Sequence, residues 1–261
     1  MYLEKINSPS DIKKLSVDEM KKLTQEMRDA LIFKLSRHGG HCGPNLGFAE
    51  ATVALHYVFD SPVDKIVFDV SHQTYCHKML TGRKDGFLYE EHFDDISGYS
   101  NPAESEHDFF VIGHTSTSVS LALGLAKARD LKGGSSTIVS VIGDGSLTGG
   151  MAYEALNNAA ELKTNFIIII NDNNMSISRN VGGMSTYLSA LRTAEAYTGM
   201  KMGVTKALKK VPKVGTALVD TMRKTKSSVK QLFIPGMLFE NMGLTYLGPA
   251  DGHNMRQMMK L

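Results

Sequence analysis

Apolar residues recur at intervals of three and four near the start of the chain, which is the spacing of one helix face. The pattern is carried by Val17, Met20, Leu23, Met27, Leu31 and Leu35. Ser16 and Glu19 stand directly before and within it, in the arrangement of a capping box. The pattern predicts a helix from about Ser16 to Arg37 that ends at a pair of glycines. Residues 47–59 are apolar on most sides, which predicts a second, well-buried helix.

Beyond residue 60 the pattern changes to short apolar runs separated by helix-length segments that are rich in Ala and Leu. The runs are Ile66–Val70, Phe109–Ile112, Thr137–Ile142 and Phe166–Asn171, with Leu244–Gly248 as a further candidate. The intervening helical segments are Thr115–Asp130 and Thr148–Leu162, and another helix is expected from about Gly252. Buried strands that alternate with helices predict the α/β class, with a doubly wound, mainly parallel sheet and helices on both faces.

Composition narrows the class of protein further. With 261 residues, 42% of them hydrophobic, and a net charge of +2, the chain can bury a core and is not disordered as a whole. Cys42 and Cys76 form no CxxC pair, which excludes a disulfide scaffold or a zinc ribbon and favours reduced thiols. No run approaches the roughly 20 apolar residues of a membrane span, and the beginning of the chain lacks the apolar segment of a signal peptide. We therefore expect a soluble, cytoplasmic protein without a membrane partner.

Charge is distributed unevenly along the chain. Ten basic residues and two acidic ones lie between Arg192 and Lys230, so the remainder of the chain is acidic. We expect a basic, mobile insertion at about residues 184–238. A nucleic-acid-binding arm is the alternative, but residues 192–230 contain a single aromatic residue, Tyr197, and no Arg-rich run. The composition favours a solvated segment that covers a functional site elsewhere in the chain, and no nucleic-acid partner is expected.

The strongest chemical motif is Gly143-Asp144-Gly145 followed, 25 residues later, by Asn171-Asp172-Asn173-Asn174. Each part comes directly after a predicted strand, and a right-handed crossover between parallel strands brings both parts to one edge of the sheet. A carboxylate and an amide oxygen there suit Mg²⁺ held jointly with a phosphorylated ligand. The helix that begins near Thr148 points its free N–H groups at the same place.

Commoner explanations of these residues are weaker. Taken singly, the two parts would be a tight turn and a polar loop, but their joint placement after two buried strands favours a site. The third glycine of a dinucleotide fingerprint is missing, and no Gly-Lys-Ser/Thr occurs for a P-loop.

The same residues resemble a known family. GDGSLTGGMAYEALNNA followed by IIIINDNNMSIS resembles the thiamin diphosphate motif of the transketolase superfamily. The match is closer through HGGHCGPNLGFAEATVALHYVFDSPVDKIVFDVSHQTYCHKMLTGR and ESEHDFFVIGHTSTSVSLALGLAKARDLKG. From about Met27 to its last residue, the chain is similar to the amino-terminal, diphosphate-binding domain of the 1-deoxy-D-xylulose-5-phosphate synthase family.

This resemblance implies thiamin diphosphate and Mg²⁺ as cofactors. Asp144 and Asn173 would bind Mg²⁺ through their side chains, and Met175 would bind it through its backbone carbonyl. Gly145 and Ser146 would contact the cofactor's diphosphate, and Asn173 would serve both the metal and the cofactor.

The resemblance also assigns roles to histidines. Gly113-His114-Thr115 matches the family's Gly-His-Ser cofactor contact, and His72 matches its cofactor-contacting histidine. His41 matches a catalytic histidine near the reacting carbon, where an imidazole can shuttle protons near neutral pH. The histidines expected to be structural are His56 and His77.

For the molecule as a whole, the resemblance implies a homodimer that joins pyruvate to D-glyceraldehyde 3-phosphate with release of CO₂. Residues 1–261 are expected to form one diphosphate-binding domain. The family's pyrimidine-binding and carboxy-terminal domains, and the glutamate that activates the cofactor, are expected to be absent from the chain. A second polypeptide could supply the missing half.

Two alternatives remain open at this stage: a non-catalytic module that binds Mg²⁺ and thiamin diphosphate, and half of a split transketolase-like enzyme with another acceptor. The second draws on positions that depart from the family pattern, namely Ser71, Cys76, Tyr99-Ser100 and Thr115.

Overall fold

The structure, a computed structural model, describes residues 1–173, 183, 186–188 and 237–261. It divides into two compact units, Met1–Arg179 with Ala250–Leu261 and Asn180–Pro249. Most of the expected basic insertion at 184–238 lies outside the described residues, as does Met175.

The first unit contains nine of the described helices and all three described strands. Its helices are α1 (Pro9–Ile12), α2 (Val17–His38), α3 (Cys42–Gly47), α4 (Ala49–Val58), α5 (Tyr75–Lys78), α6 (Asp85–Leu88), α7 (Ser118–Leu131), α8 (Gly150–Leu162) and α10 (Met255–Met258), whereas α9 (Met237–Asn241) belongs to the other unit. The strands are β1 (Lys65–Phe68), β2 (Ile138–Gly143) and β3 (Ile167–Asn171). Short helical turns of other types cover Leu3–Lys5, Met79–Arg83, Glu90–Asp95 and Ser146–Thr148.

Helix α2 forms as its sequence predicts. The Glu19 backbone N–H donates to Ser16 Oγ at 3.4 Å, and the Ser16 backbone N–H donates to Glu19 Oε2 at 2.8 Å, which completes the capping box. The helix ends at Gly39, whose φ of 78° is accessible to glycine at little cost. The apolar face is buried with residues of α4, α5 and α6. Members of this core include Met20, Leu23, Met27, Leu31, Val53, Met79 and Phe87.

The sheet is parallel, in the order β1-β2-β3, which confirms the predicted class. Successive residues of a strand point to opposite faces, and the core follows that alternation. Ile66 packs with Ala51 of α4 on one face, whereas Val67 packs with Ala122 of α7 on the other. Helices therefore cover both faces, as expected of a doubly wound sheet.

Two predicted strands are wrong. Phe109–Ile112 has no strand pairing, and the Ile112 carbonyl instead accepts a hydrogen bond from the Ser71 hydroxyl at 3.3 Å. Ile112 nevertheless packs against Val67, which explains why the segment is apolar.

The second wrong strand, Leu244–Gly248, belongs to the other unit. There it follows helix α9 (Met237–Asn241), and the Leu244 N–H bonds back to the Phe239 carbonyl at 2.9 Å. The Tyr246 ring stacks on Phe239, so these apolar residues pack on a helix rather than in a sheet. Within the described residues, every helix is too short or too polar to cross a membrane.

Candidate cofactor site

The two parts of the acidic motif meet at the carboxyl end of the sheet. Asp144 directly follows β2, and Asp172 and Asn173 directly follow β3. Gly143 is paired with Asn171 in the ladder, and the Asp144 N–H donates to the Asn171 carbonyl at 3.0 Å. The structure thus brings Asp144 and Asn173 to one edge, while Met175, the third predicted metal ligand, lies outside the described residues.

Asp144 has a charged neighbour that the sequence did not single out. Asp144 is 6% exposed, and its carboxyl group is hydrogen-bonded to the Asp172 carboxyl group. Burial, and then the negative charge of Asp172, raise the pKa of Asp144 to about 6. A divalent cation would neutralise this repulsion, so the pair fits a Mg²⁺ site.

The described residues contain no cluster of three or more His, Cys, Asp or Glu side chains suited to a metal. Mg²⁺ does not require such a cluster, because it commonly takes one or two carboxylates and completes its shell with phosphate and water. The Asp144 carboxylate after β2 and the Asn173 amide oxygen after β3 are therefore sufficient protein ligands for Mg²⁺.

The loop after Asp144 approaches a second loop very closely. Gly145 and Ser146 lead into a short turn before α8, and the Ser116 hydroxyl donates to the Ser146 carbonyl at 2.6 Å. A β-carbon on Gly149 would lie 2.0 Å from Ser116 Oγ, so only glycine fits there. Gly149 and Gly150 put no side chain of their own at the start of α8, which suits a phosphate-binding backbone.

Asp69 holds the second loop in place. This residue directly follows β1, is 1% exposed, and accepts three backbone N–H bonds at 2.8–2.9 Å. The donors are Ser116, Thr117 and Ser118. Sequence reasoning missed Asp69, although its place directly after a buried strand could have pointed to it.

The predicted contacts Gly113, His114 and Thr115 lie in the exposed part of that loop. His114 Nδ1 is 2.8 Å from the Thr115 carbonyl, which fixes its ring within the loop. Since Ser116 contacts Ser146, this tripeptide adjoins the predicted diphosphate residues.

The two predicted histidines of the reaction lie beside each other. The ring centroids of His41 and His72 are 5.5 Å apart. Fully buried Asn45 donates from its amide to the His41 carbonyl at 2.6 Å and to the His72 carbonyl at 2.8 Å. Its Oδ1 accepts the Tyr75 N–H at 2.9 Å, so one side chain joins three backbone segments. Asn45 is another residue that sequence reasoning missed.

Burial lowers the pKa of both histidines, and the charge of His41 lowers that of His72 further. Both imidazoles are therefore neutral near pH 7. His72 Nδ1 is buried without a hydrogen-bond partner in the described part of the chain. A buried polar atom of this kind calls for a partner, and a bound cofactor would provide one.

Comparison with known proteins identifies the family. The family described as 1-deoxy-D-xylulose-5-phosphate synthase matches residues 3–261. The chain belongs to this family. A relative of that name from Lachnoclostridium phytofermentans is 55% identical over 98% of this chain and 41% of its own length. Those from Caldanaerobacter subterraneus and Carboxydothermus hydrogenoformans are 52% and 51% identical over 99% of this chain and 42% of their own lengths. The chain thus spans about two fifths of these curated relatives.

Two of the departures from the usual 1-deoxy-D-xylulose-5-phosphate synthase pattern contact each other. Ser71 has a φ of 69°, in the left-handed region that glycine adopts more readily than serine. Its hydroxyl accepts the Ser100 N–H at 2.9 Å and donates to the Ile112 carbonyl. Ser71 and Ser100 therefore form one connection between the His72 loop and the segment around residue 100.

Cys76, a third departure, lies in the core. It is 1% exposed, and burial raises the pKa of its thiol to about 12. The thiol is therefore protonated and inert at neutral pH.

His56 and His77, expected to be structural, lie in a buried chain of hydrogen bonds. His56 Nε2 is 2.9 Å from His77 Nδ1, and His77 Nε2 is 3.0 Å from Asp108. Although burial alone would raise the pKa of Asp108, hydrogen bonds from His77 and Arg83 hold it well below its usual range. The chain links α4 and α5 to the segment before the 113–118 loop.

Proposed function

We propose that this chain is the diphosphate-binding domain of a thiamin diphosphate- and Mg²⁺-dependent transferase. The reaction joins pyruvate to D-glyceraldehyde 3-phosphate, yields 1-deoxy-D-xylulose 5-phosphate and CO₂, and serves isoprenoid and thiamin synthesis. The juxtaposition of Asp144 and Asp172 beside a side-chain-free helix start carries this proposal. Two crowded acidic groups next to free N–H groups suit a cation and a diphosphate bound together.

The residues that follow β2 and β3 would bind the metal ion and the diphosphate. Asp144, Asn173 and the Met175 carbonyl would hold Mg²⁺, and Gly145 and Ser146 would hold the diphosphate. Thiamin diphosphate, when bound, supplies the carbon nucleophile that the protein itself lacks.

The histidine groups lie at the rim of this site. Gly113, His114 and Thr115 would line the diphosphate from the neighbouring loop, and His72 would offer its buried Nδ1 to the cofactor. His41, neutral at pH 7, would take up and return protons near the reacting carbon.

The complete reaction also needs groups that we assign to the remainder of the family's sequence. We propose that a pyrimidine-binding domain supplies the activating glutamate, from the same or a second polypeptide, within a cytoplasmic homodimer. The alternative is one half of a split transketolase-like enzyme with a different acceptor, and the hydrogen bond between Ser71 and Ser100 supports it because it joins two departures near His72.

Calorimetry tests the binding step directly. We expect thiamin diphosphate to release heat on binding only when Mg²⁺ is present, and Asp144→Ala to abolish this heat. Asp18→Ala, at an exposed position of α2, is the control and should leave the heat unchanged. Binding that survives Asp144→Ala would refute the metal assignment.

Catalysis is tested by mixing the chain with the remaining domains of a family member. Release of CO₂ from pyruvate is the expected result, and dependence on D-glyceraldehyde 3-phosphate separates the synthase from the alternative acceptor. Binding of the cofactor without any CO₂ release would favour a non-catalytic module.

A further inference from the structure

The hydroxyl group of Tyr75 is placed against His41 from two directions. It accepts the His41 backbone N–H at 3.3 Å and lies 3.1 Å from Nδ1 of the same residue. Tyr75 is 5% exposed, so water does not compete freely for this hydroxyl.

Two glycines enclose the hydroxyl. A β-carbon on Gly40, whose φ is 129°, would lie 2.8 Å from Tyr75 Oη, and one on Gly98 would lie 3.3 Å away. A side chain at Gly40 would force the Tyr75 ring to move, and one at Gly98 would crowd it, so both glycines leave room for this oxygen. Across the parts of the chain that the structure describes, His41 is the hydroxyl's only hydrogen-bond partner.

This geometry determines the direction of the second hydrogen bond. A backbone N–H can only donate, so it occupies a lone pair of the tyrosine oxygen. The tyrosine's own proton then has one acceptor within reach, which is His41 Nδ1. Burial raises the pKa of Tyr75, which keeps that proton in place.

We propose that Tyr75 is a positioning residue that holds His41 by Nδ1 and directs its Nε2–H outward as the proton-exchanging atom. Nε2 lies on the opposite side of the ring, 3.4 Å from the hydroxyl of Tyr99, which is 38% exposed. The hydrogen bond to Nδ1 on the buried side thus fixes the tautomer and the ring orientation of His41, and Nε2 lies on the more exposed side, next to Tyr99. This inference rests on the proposed function only in assigning proton exchange with the substrate to Nε2.

Asn45 supports the arrangement from the backbone. Its Oδ1 accepts the Tyr75 N–H and its amide donates to the His41 carbonyl, so the two residues are tied at the main chain as well. The position of the Tyr75 backbone is therefore fixed independently of the hydrogen bond between its hydroxyl and the imidazole.

Nitrogen NMR of the ¹⁵N-labelled chain tests the proposal without any activity. At pH 8.5, about two units above the ordinary histidine pKa, the imidazole is neutral and its protonated nitrogen can be identified. We expect His41 to carry its proton on Nε2, with the Nδ1–H form at least about five-fold rarer than in N-acetylhistidinamide. A protonated Nδ1 in the unaltered chain would overturn the proposal, whatever the variants do.

Tyr75→Phe removes the hydroxyl and keeps the ring. We expect the Nδ1–H population of His41 to rise to within about two-fold of the free compound, and the pKa of His41 to rise by about 0.5–1 unit. The pKa rises because the lost hydrogen bond favoured the neutral ring, and the groups that face His41 remain: His72, Tyr99 and the Asn45 amide.

Two further variants serve as controls. Tyr57→Phe, in a half-buried ring on the same core, and Tyr99→Phe, at the other ring nitrogen, should leave the tautomer unchanged. An unchanged tautomer and pKa in Tyr75→Phe, or a tautomer switch in Tyr99→Phe, would overturn the proposal. Calorimetry of the same variants reports separately on cofactor binding, so either proposal can fail alone.

Discussion

The Asn45 side chain connects the backbone of His41, His72 and Tyr75. Its side chain donates to two carbonyls and accepts one N–H while being fully buried. Each group that loses such a partner in a buried place costs about 1–3 kcal/mol. One side chain therefore links the stability of the chain to the placement of His41 and His72.

We expect Asn45→Ala to lower the free energy of unfolding by about 2–4 kcal/mol, because three backbone groups lose their partner. Urea denaturation measures the change. Asn158→Ala is the matched control, since Asn158 is exposed on α8 and bonds only within its own helix; its loss should cost less than about 0.5 kcal/mol. Equal costs at the two positions would contradict the assigned role of Asn45.

At the level of elements, the site depends on how closely two loops approach. The loop that carries Gly113–Thr115 is fixed to Asp69 after β1, and Ser116 joins it to the turn after β2. Gly149 is what allows the contact, because no β-carbon fits beside Ser116 Oγ.

Gly149→Ala should therefore separate the loops and weaken the Mg²⁺-dependent binding of thiamin diphosphate by at least about ten-fold, as calorimetry would measure. Gly124→Ala is the control, because Gly124 lies in α7 with open space at its β-carbon position. That substitution should leave binding unchanged and stabilise the chain by up to about 1 kcal/mol. If Gly149→Ala bound as tightly as the unaltered chain, the loop contact would not shape the site.

What the sequence could predict follows from how local each feature is. Helix α2 was correct to within one residue at each end because its cap, apolar face and terminal glycine are contiguous. The placement of Asp144 and Asn173 at one edge of the sheet was also predictable, since parallel topology alone brings strand ends together.

The segment 109–112 shows the limit of that reasoning. Its apolar residues face the core, yet its carbonyl bonds to a distant side chain, Ser71, and no periodicity records such a contact. Asp69, Asn45 and Tyr75 were missed for the same reason, because their roles depend on contacts 27 to 49 residues away along the chain. The predicted roles of the site residues themselves stay predictions until binding is measured.

At the scale of the whole molecule, the chain spans about two fifths of its relatives and carries one side of the proposed site. The segments that follow β1 and β2 on this side are joined through hydrogen bonds of Ser116 to Asp69 and to the Ser146 carbonyl. A preformed half-site of this kind reduces the ordering cost of binding the diphosphate.

The buried chain His56–His77–Asp108 makes the stability of this unit depend on pH. Burial lowers the pKa of both histidines, that of His56 well below its ordinary value, and further charges act on His56 from several elements. The groups that face it are His77, His107, Arg83 and Lys13. In the unfolded chain these histidines have a pKa of about 6.5. Below that pH the unfolded state binds more protons than the folded state, so these histidines lower the stability as the solution becomes more acidic.

We therefore expect these two histidines to lower the free energy of unfolding as the pH falls below about 6.5, while the raised pKa of Asp144, about 6, opposes part of that decline. Each buried histidine contributes up to about 1.4 kcal/mol per pH unit to that decline. Urea denaturation at a series of pH values measures the slope, which His56→Gln should reduce because the amide keeps a donor but does not titrate. His38→Gln, at a partly exposed position at the end of α2, should leave the slope unchanged. A slope that His56→Gln leaves unchanged would mean that His56 is already charged in the folded state, against its burial.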